Sequence, residues 1–278
     1  CFCHQSGNRR DVRGVDRGQR QKCIRELPLL AILELCGIPP EDRKDFFQWT
    51  NTMMFSEDPD MSIGEEEAQE ASLHIIEYAM KLAAQHKENP KDDIIGALLS
   101  GKEDDKGLTE DEFVWFFLML IAAGNESTRT ITSHGMRMLM QHPDQLQYLV
   151  DNPDKIRGAC EEMLRYNTAF ILMRRTALED IEVAGHHIKK DDKIIMHYHT
   201  VNHDETVFGD DAMEFDVRRA ERMPDLYKEH RAFGVGQHFC LGSHLARLEL
   251  LIIMQEIVPR LRNPKLAGSI TYTRSALV

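Results

Sequence analysis

The chain has 278 residues, of which 42% are hydrophobic and 29% are charged, a composition typical of a soluble globular protein with a large core. Its formal net charge of −12 argues against a general nucleic-acid binder, because phosphate contacts require a basic face. No apolar run approaches the roughly 18 residues of a membrane span. The longest, FVWFFLMLIAA, is followed at once by polar residues.

The first 22 residues differ in composition from the rest of the chain. The segment NRRDVRGVDRGQRQK is rich in arginine and almost free of apolar residues, so we predict a disordered or non-native leader over residues 1–22. The six cysteines are scattered and no signal peptide precedes them, which predicts reduced thiols in a cytoplasmic protein. The opening CFCH has no second ligand pair, so we favour chance over a metal clip.

Helical patterns dominate the chain from Ile24 to about Tyr166. The sequence predicts one helix ending at Gly37, a second after a Pro-Pro turn, a third over residues 65–87 and a short one in DDIIGALLS. Thr109 and Glu112 then have capping-box spacing, and a helix of about thirty residues should run from there to His142-Pro143. HPDQLQYLVDN and PDKIRGACEEMLRY predict two more helices.

After Asn167 the hydrophobic period approaches two, which predicts strands in DIEVAG, HHIKK and KIIMHYH. We expect helical structure to return only after Cys240. The predicted fold class is therefore mainly α with a small antiparallel β portion. His197 and His199 should share a strand face and, with His203, raise the question of a metal site. No carboxylate or cysteine is clearly placed to complete one, so we predict no metal there.

A lone cysteine lies between a glycine-rich loop and a predicted helix, in FGVGQHFCLG at residues 233–242. Glycine permits positive φ and a close approach of the backbone to a flat ligand. Backbone N–H groups and the positive end of a helix favour a deprotonated sulfur, as a nucleophile or as a metal ligand. The pattern predicts a thiolate at Cys240, with a buried thiol in a glycine turn as the alternative.

The segment EEMLRY places Glu162 and Arg165 three residues apart, so they share one helix face and can pair. A solvated surface pair of little energetic value is the usual interpretation. Here the flanking apolar residues indicate burial, and a buried pair needs further partners. Arg219 in FDVRR is a candidate third member.

The segment AAGNEST interrupts the long predicted helix with Gly124, which costs about 1 kcal/mol relative to alanine in a helix interior. Two explanations stay open. One is a local widening of the helix at a functional site beside Glu126, Ser127 and Thr128. The other is close helix packing through the small residues Ala123 and Gly124.

Together and in this order, these segments resemble the cytochrome P450 superfamily, whose heme-thiolate signature is F-G-x-G-x-[HR]-x-C-x-G. FGVGQHFCLG fits every fixed position, and EMLR, AGNEST and FDVRR stand at the family's relative places. The resemblance covers residues 24–268. It implies a P450 fold that lacks its N-terminal part and its C-terminal end, in one partial domain over residues 23–278.

The resemblance also implies heme b as the cofactor and a role for each matching residue. Cys240 would be the axial thiolate ligand of the iron, in a loop whose other cradle residues are Phe233, Gly234 and Gly236. His238 and Arg175 would bind the heme propionates. Glu162, Arg165 and Arg219 would form a structural network. On the oxygen side, Ala123 and Gly124 would line a groove, and Glu126, Ser127 and Thr128 would deliver protons.

The implied activity is that of a monooxygenase that inserts one atom of O2 into an apolar C–H bond. Its substrate would be an apolar small molecule of the terpene, steroid or fatty-acid class. Electrons would come from a ferredoxin and its reductase, with Arg247 as a basic docking residue. We expect a monomeric cytoplasmic protein without a membrane span or a nucleic-acid partner. Two alternatives stay open, a truncated non-catalytic remnant and a heme-thiolate peroxygenase or isomerase.

Overall fold

The computed structural model describes residues 26–56, 58, 63–101, 107–266, 268 and 270. The predicted leader over residues 1–22, including CFCH, lies outside them. The described residues form two compact units, one ending at Arg129 and one beginning at Thr130, and each is described by itself. None of the helices in this part of the chain is both long enough and apolar enough to cross a bilayer.

The first unit is helical over its described residues. It contains α1 (Leu27–Leu35), α2 (Arg43–Met54), α3 (Glu65–Glu88), α4 (Ile94–Ser100) and the first part of α5 (Glu110–Gln141). These bounds agree with the helices predicted from hydrophobic periodicity.

Local capping explains where two of these helices begin. The carboxylate of Asp93 accepts the N–H of Gly96 at 2.8 Å and starts α4. At α5, the N–H of Glu112 donates to the Thr109 hydroxyl at 3.3 Å, and the Thr109 N–H donates to the Glu112 carboxylate at 2.9 Å. The predicted capping box is therefore confirmed.

Aromatic side chains from three helices form the core of the first unit. Phe46 of α2 is fully buried, and its ring lies 4.9 Å from that of Tyr78 on α3 and 6.2 Å from that of Phe117 on α5. Edge-on aromatic contacts of this kind add to the free energy of apolar burial. They hold α5 against α2 and α3.

The second unit contains the rest of α5 and the remaining elements. Its helices are α6 (Pro143–Asp151), α7 (Ile156–Tyr166), α8 (Tyr198–Val201), α9 (Glu205–Phe208), α10 (Arg219–Arg222), α11 (Leu226–Glu229) and α12 (Ser243–Ile257). Its strands are β1 (Leu172–Thr176), β2 (Ile181–Val183), β3 (His186–Ile188) and β4 (Lys193–His197). The fold class predicted from the sequence, mainly α with a small antiparallel β portion, is confirmed.

The strands form two separate antiparallel pairs. β2 and β3 make a hairpin whose turn residues, Ala184 and Gly185, both have positive φ, at 49° and 80°. This geometry is that of a type I′ turn, which suits the twist of a hairpin and favours glycine. β1 pairs with β4 so that Arg175 lies opposite Ile194. β1 was not predicted as a strand, because its two arginines mask the alternation of LMRRT.

Two sequence predictions for this region were wrong. The strand of KIIMHYH ends at His197, whose ring accepts the N–H of Thr200 and so caps the short helix α8. His197 and His199 therefore do not share a strand face. Helical structure also returns well before Cys240, in α8 to α11. These helices have four residues each, too few to produce a periodic apolar signal.

Candidate functional site

The cysteine loop begins at Phe233 and leads directly into α12. A 3-10 turn over Gly236–His238 precedes Cys240, and α12 starts at Ser243. The Phe233 carbonyl accepts the N–H of Cys240 at 2.9 Å, which closes the loop. Gly234 has φ of 71° and Gly236 has φ of 70°, conformations that side chains with a Cβ rarely adopt.

The sulfur of Cys240 lies in a mixed electrostatic environment. Burial raises the pKa of the Cys240 thiol, while the N–H of Gly242 and the cation of Arg247 act in the opposite direction. Cys36 and Cys160 are more deeply buried; burial raises the pKa of Cys36 to about 11 and raises that of Cys160 further. Among the described cysteines, Cys240 is thus the one placed to react or to bind a metal ion.

The surface beside Cys240 is apolar and open. Val235, Phe239 and Leu241 are exposed by 54%, 49% and 77%. A Cβ placed on Gly236 or Gly242 would meet no atom within 4 Å, so the backbone faces open space there. A broad, flat, apolar ligand can approach this loop closely.

His238 and Arg175 are the two basic residues predicted for the cofactor's carboxylates. His238 is exposed within the 3-10 turn of the loop. Arg175 is half-buried on the same face of β1 as Met173, whereas the exposed Arg174 lies on the opposite face. Because side chains alternate between the two faces of a strand, Arg174 and Arg175 lie on opposite faces, and Arg175 is the more buried of the two.

Behind the loop, Glu162, Arg165 and Arg219 form a fully buried network. The Glu162 carboxylate accepts from Arg165 Nε at 2.7 Å and from Arg219 Nε at 3.1 Å. Arg165 also donates to the carbonyls of Asn202 and Ala212, each at 2.7 Å. These additional hydrogen bonds offset the desolvation that an isolated buried pair would suffer.

The second group of predicted residues lies on α5 within the first unit. The helix runs without interruption through AAGNEST. A Cβ on Gly124 would come within 2.1 Å of Ile32 Cδ1 on α1. Of the two explanations for this glycine, the structure favours close helix packing over a widening of the helix.

Glu126 is buried and paired with Arg129, one turn further along α5. Arg129 also donates to the side chain of Asn51 at 3.3 Å and lies 5.1 Å from the centre of the Phe55 ring. Arg129 was not among the predicted residues, although its spacing of three residues from Glu126 was a usable signal.

The hydroxyl residues next to Glu126 differ in exposure. Thr128 is buried, whereas Ser127 is half-buried and follows the exposed Ala123 on the same side of α5. The Ser127 hydroxyl donates to the Ala123 carbonyl at 2.8 Å. Ser127 is therefore the more accessible hydroxyl of the two.

The three histidines near β4 make capping and stacking contacts, with His197 at the start of α8. His199 and His203 stack with ring centres 4.3 Å apart, and the pKa of each is lowered, mainly by burial. Within the described ranges no group of three or more histidine, cysteine or acidic side chains is arranged to hold a metal ion.

A family model described as Cytochrome P450 matches residues 43–263. The chain belongs to the cytochrome P450 family. The steroid C26-monooxygenase of Mycolicibacterium smegmatis is 38% identical over 88% of this chain and 55% of its own length. The linalool 8-monooxygenase of Pseudomonas putida is 32% identical over 90% of this chain and 60% of its own length. The chain thus spans little more than half the length of these P450 relatives.

Solved P450 structures are similar in fold. The LnmA cytochrome P450 hydroxylase of Streptomyces atroolivaceus has a TM-score of 0.76 and 32% identity, covering 85% of this chain and 59% of that one. CYP109E1 of Bacillus megaterium in complex with corticosterone also has a TM-score of 0.76, with 30% identity over 85% of this chain and 62% of its own. The P450 fold expected from the signature is confirmed.

Heme b is the cofactor of this family, and the residues around Cys240 fit it. The loop offers one accessible thiol, a backbone free of side chains at Gly236 and Gly242, and an exposed apolar flank. A bound iron would deprotonate the thiol despite the effect of burial on its pKa. An iron porphyrin with two carboxylates requires a thiolate for the iron, an apolar surface for the ring and basic side chains for the carboxylates.

Proposed function

We propose that the chain carries the heme-binding part of a P450 monooxygenase that hydroxylates an apolar small molecule. The observation that carries this proposal is the Cys240 loop, which combines the family signature with an accessible thiol and an open glycine backbone. Heme bound through the Cys240 thiolate would supply the activation of O2, because thiolate donation favours O–O cleavage.

The residues of the second unit would bind and orient the cofactor. Cys240 would be the axial ligand, and the Phe233 carbonyl would fix its backbone through the hydrogen bond at 2.9 Å. His238 and Arg175 would bind the propionates, while Gly234 and Gly236 would leave room for the ring. Glu162, Arg165 and Arg219 are proposed as structural support, since their side chains are fully buried and touch no open surface.

The residues of α5 would handle oxygen and protons. The exposed Ala123 would line the oxygen groove, whereas the predicted groove residue Gly124 packs against Ile32 of α1. The carboxylate of Glu126 would exchange protons, and its ion pair with Arg129 would stabilise its charge. Ser127 would pass a proton through its hydroxyl, now bonded to the Ala123 carbonyl, with Thr128 in support. Serine lacks the methyl group that restricts the rotamer of threonine, so its hydroxyl turns more freely.

The substrate class is supported by the relatives, whose names cite steroid C26 oxidation, linalool oxidation and the ω-hydroxylation of methyl-branched lipids. These names favour an apolar substrate of the steroid, terpene or fatty-acid class. We further propose a ferredoxin-type electron donor. The monomeric state and the cytoplasmic location stay predictions, as does the single domain over residues 23–278.

Reconstitution with heme tests the proposal. The expected result is stoichiometric binding and a reduced, CO-bound Soret band at the position typical of a thiolate ligand. Cys240→Ser should lose this band, while Cys160→Ala, which removes a buried thiol elsewhere in the second unit, should keep it. Absence of the band in the wild-type chain would overturn heme-thiolate function.

Turnover with a ferredoxin, its reductase and a panel of steroids, terpenes and branched fatty acids then tests the activity. Hydroxylated product that requires O2 supports monooxygenation. Product formed only with added peroxide would favour a peroxygenase, rearranged product without oxygen insertion an isomerase, and heme binding without turnover a non-catalytic remnant.

A further inference from the structure

Glu161 is the residue before Glu162 on α7, yet it belongs to a different set of contacts. Its carboxylate accepts from Arg247 Nε at 3.0 and 3.1 Å and from His230 Nε2 at 2.9 Å. The three side chains come from α7, from the segment just before the cysteine loop and from α12. We call them the Glu161 cluster.

The protonation states within the Glu161 cluster follow from its hydrogen bonds. His230 Nδ1 accepts the N–H of Ala232 at 3.3 Å, so Nε2 carries the proton that is donated to Glu161. Burial raises the pKa of Glu161, but the hydrogen bond from His230 and the charge of Arg247 outweigh it and leave the pKa below its ordinary value. The carboxylate therefore stays charged opposite the Arg247 cation.

Arg247 and His230 of the Glu161 cluster both contact Phe233, the first residue of the cysteine loop. The Arg247 guanidinium lies over the Phe233 ring, with Cζ 4.5 Å from the ring centre, and the His230 ring lies 6.1 Å away from it. The carbonyl of Phe233 is the group that accepts the N–H of Cys240. A cation above an aromatic face is an attractive contact, and a guanidinium held by a carboxylate can turn little about that face.

We propose that the Glu161 cluster positions Phe233 and, through its carbonyl, the Cys240 loop that receives the heme iron. Glu161, His230 and Arg247 are positioning residues, since each acts through Phe233. Arg247 also donates to the Tyr227 carbonyl at 3.1 Å, a further hydrogen bond that limits the movement of its guanidinium. This inference rests on the proposed heme-thiolate function.

Three variants test the Glu161 cluster: Arg247→Gln, Arg247→Lys and Glu161→Gln. We expect Arg247→Gln and Glu161→Gln to weaken heme binding by about ten- to a hundredfold, the usual effect of removing a group that orients a metal ligand. In these two variants, part of the reduced, CO-bound complex should show the Soret band that is typical of a neutral thiol ligand. Arg247→Lys keeps the charge but loses the flat guanidinium, so it should fold normally and still change the reduction potential.

The control is Arg262→Gln, the same change at an exposed arginine of the second unit whose hydrogen bonds within the described residues go to the carbonyls of Pro259 and Leu261. Its heme affinity, spectrum and potential should equal those of the wild type. A wild-type chain without the thiolate band would overturn the proposed function itself. A wild-type chain with the band, together with Arg247→Lys and Glu161→Gln variants unchanged in affinity, spectrum and potential, would overturn only the role of the cluster. If Arg247→Gln fails to fold, Arg247→Lys and Glu161→Gln together decide.

Discussion

Glu126 on α5 and Glu162 on α7 each precede an arginine by three residues, yet the structure surrounds the two pairs differently. Arg165 donates to main-chain carbonyls, and Glu162 also accepts the N–H of Asp216 at 3.0 Å. These hydrogen bonds attach α7 to the backbone at Asn202, Ala212 and Asp216. That backbone cannot move without breaking them.

The pair on α5 contacts side chains. Arg129 donates to the Asn51 amide oxygen and lies against the Phe55 ring. Side-chain partners can change rotamer while the helix stays intact. The structural role of Glu162 and the proposed proton-exchanging role of Glu126 can therefore be tested separately, although the two pairs have the same sequence spacing.

Arg165→Ala should lower the free energy of unfolding by about 3–5 kcal/mol, because it removes a cation from a buried carboxylate and the donors from three carbonyls. Urea unfolding measures the change. Arg222→Ala is the control, since Arg222 pairs with Asp211 and Asp216 at the surface with 46% of its side chain exposed. That change should cost less than about 1 kcal/mol. Equal costs for the two variants would contradict the structural role.

Glu126→Gln should lower the free energy of unfolding by only about 1–3 kcal/mol, since the amide can still accept a hydrogen bond from Arg129. Its larger effect should be functional. In the reconstituted protein, more of the consumed electrons should appear as peroxide and fewer as product. Asp111→Asn, in the first turn of the same helix, should leave this ratio unchanged. A Glu126→Gln variant with wild-type coupling would remove Glu126 from proton delivery.

Glu249 on α12 differs from Glu126 and Glu162, because no arginine pairs with it in the part of the chain that the structure describes. Its Oε1 finds no hydrogen-bond partner among the residues that the structure describes, and burial raises the pKa of Glu249 to about 7. A carboxyl whose folded pKa exceeds its unfolded value stabilises the fold fully below the unfolded pKa. That contribution is lost as the pH rises through the folded pKa.

Glu249→Gln should therefore have the same free energy of unfolding as the wild type at about pH 4. At about pH 8 the variant should be more stable by on the order of 1 kcal/mol, since partial exposure reduces the effect of the raised pKa. Urea unfolding at the two pH values measures this. Glu256→Gln, an exposed change on the same helix, is the control. A constant difference between Glu249→Gln and the wild type at both pH values would exclude the raised pKa as the cause.

Ser127 should give the smallest change in stability. Ser127→Ala and Ser127→Thr should each stay within about 0.5 kcal/mol of the wild type, because the side chain is only half-buried. Peroxide release should nevertheless rise in Ser127→Ala and fall in Ser127→Thr, whose hydroxyl is held in fewer rotamers. Ser133→Ala, at an exposed position of the same helix, is the control. Unchanged release in Ser127→Ala would argue against its role.

Long amphipathic helices and the cysteine loop could be predicted from the sequence because their signals are local. The capping residues of α5 and the glycines around Cys240 act on neighbours within a few positions. The strand β1 could not be predicted, because pairing with β4 decides it. The short helices α8 and α9 begin at single side-chain caps from His197 and Asp204, and all four helices from α8 to α11 are too short for a periodic signal. The packing of Gly124 against Ile32 likewise joins residues far apart in the chain.

The sequence alone determined the family signature, the helical class of the fold and the identity of the cysteine that would bind iron, since each depends on residue type at fixed spacing. Only the tertiary structure decided the partners of Glu161, which it joined to Arg247 and His230. The neighbouring Glu162 pairs instead with Arg165 and Arg219, as its spacing from Arg165 and the FDVRR segment had indicated. Neighbours on a helix point about 100° apart, so packing assigns each to its own partners.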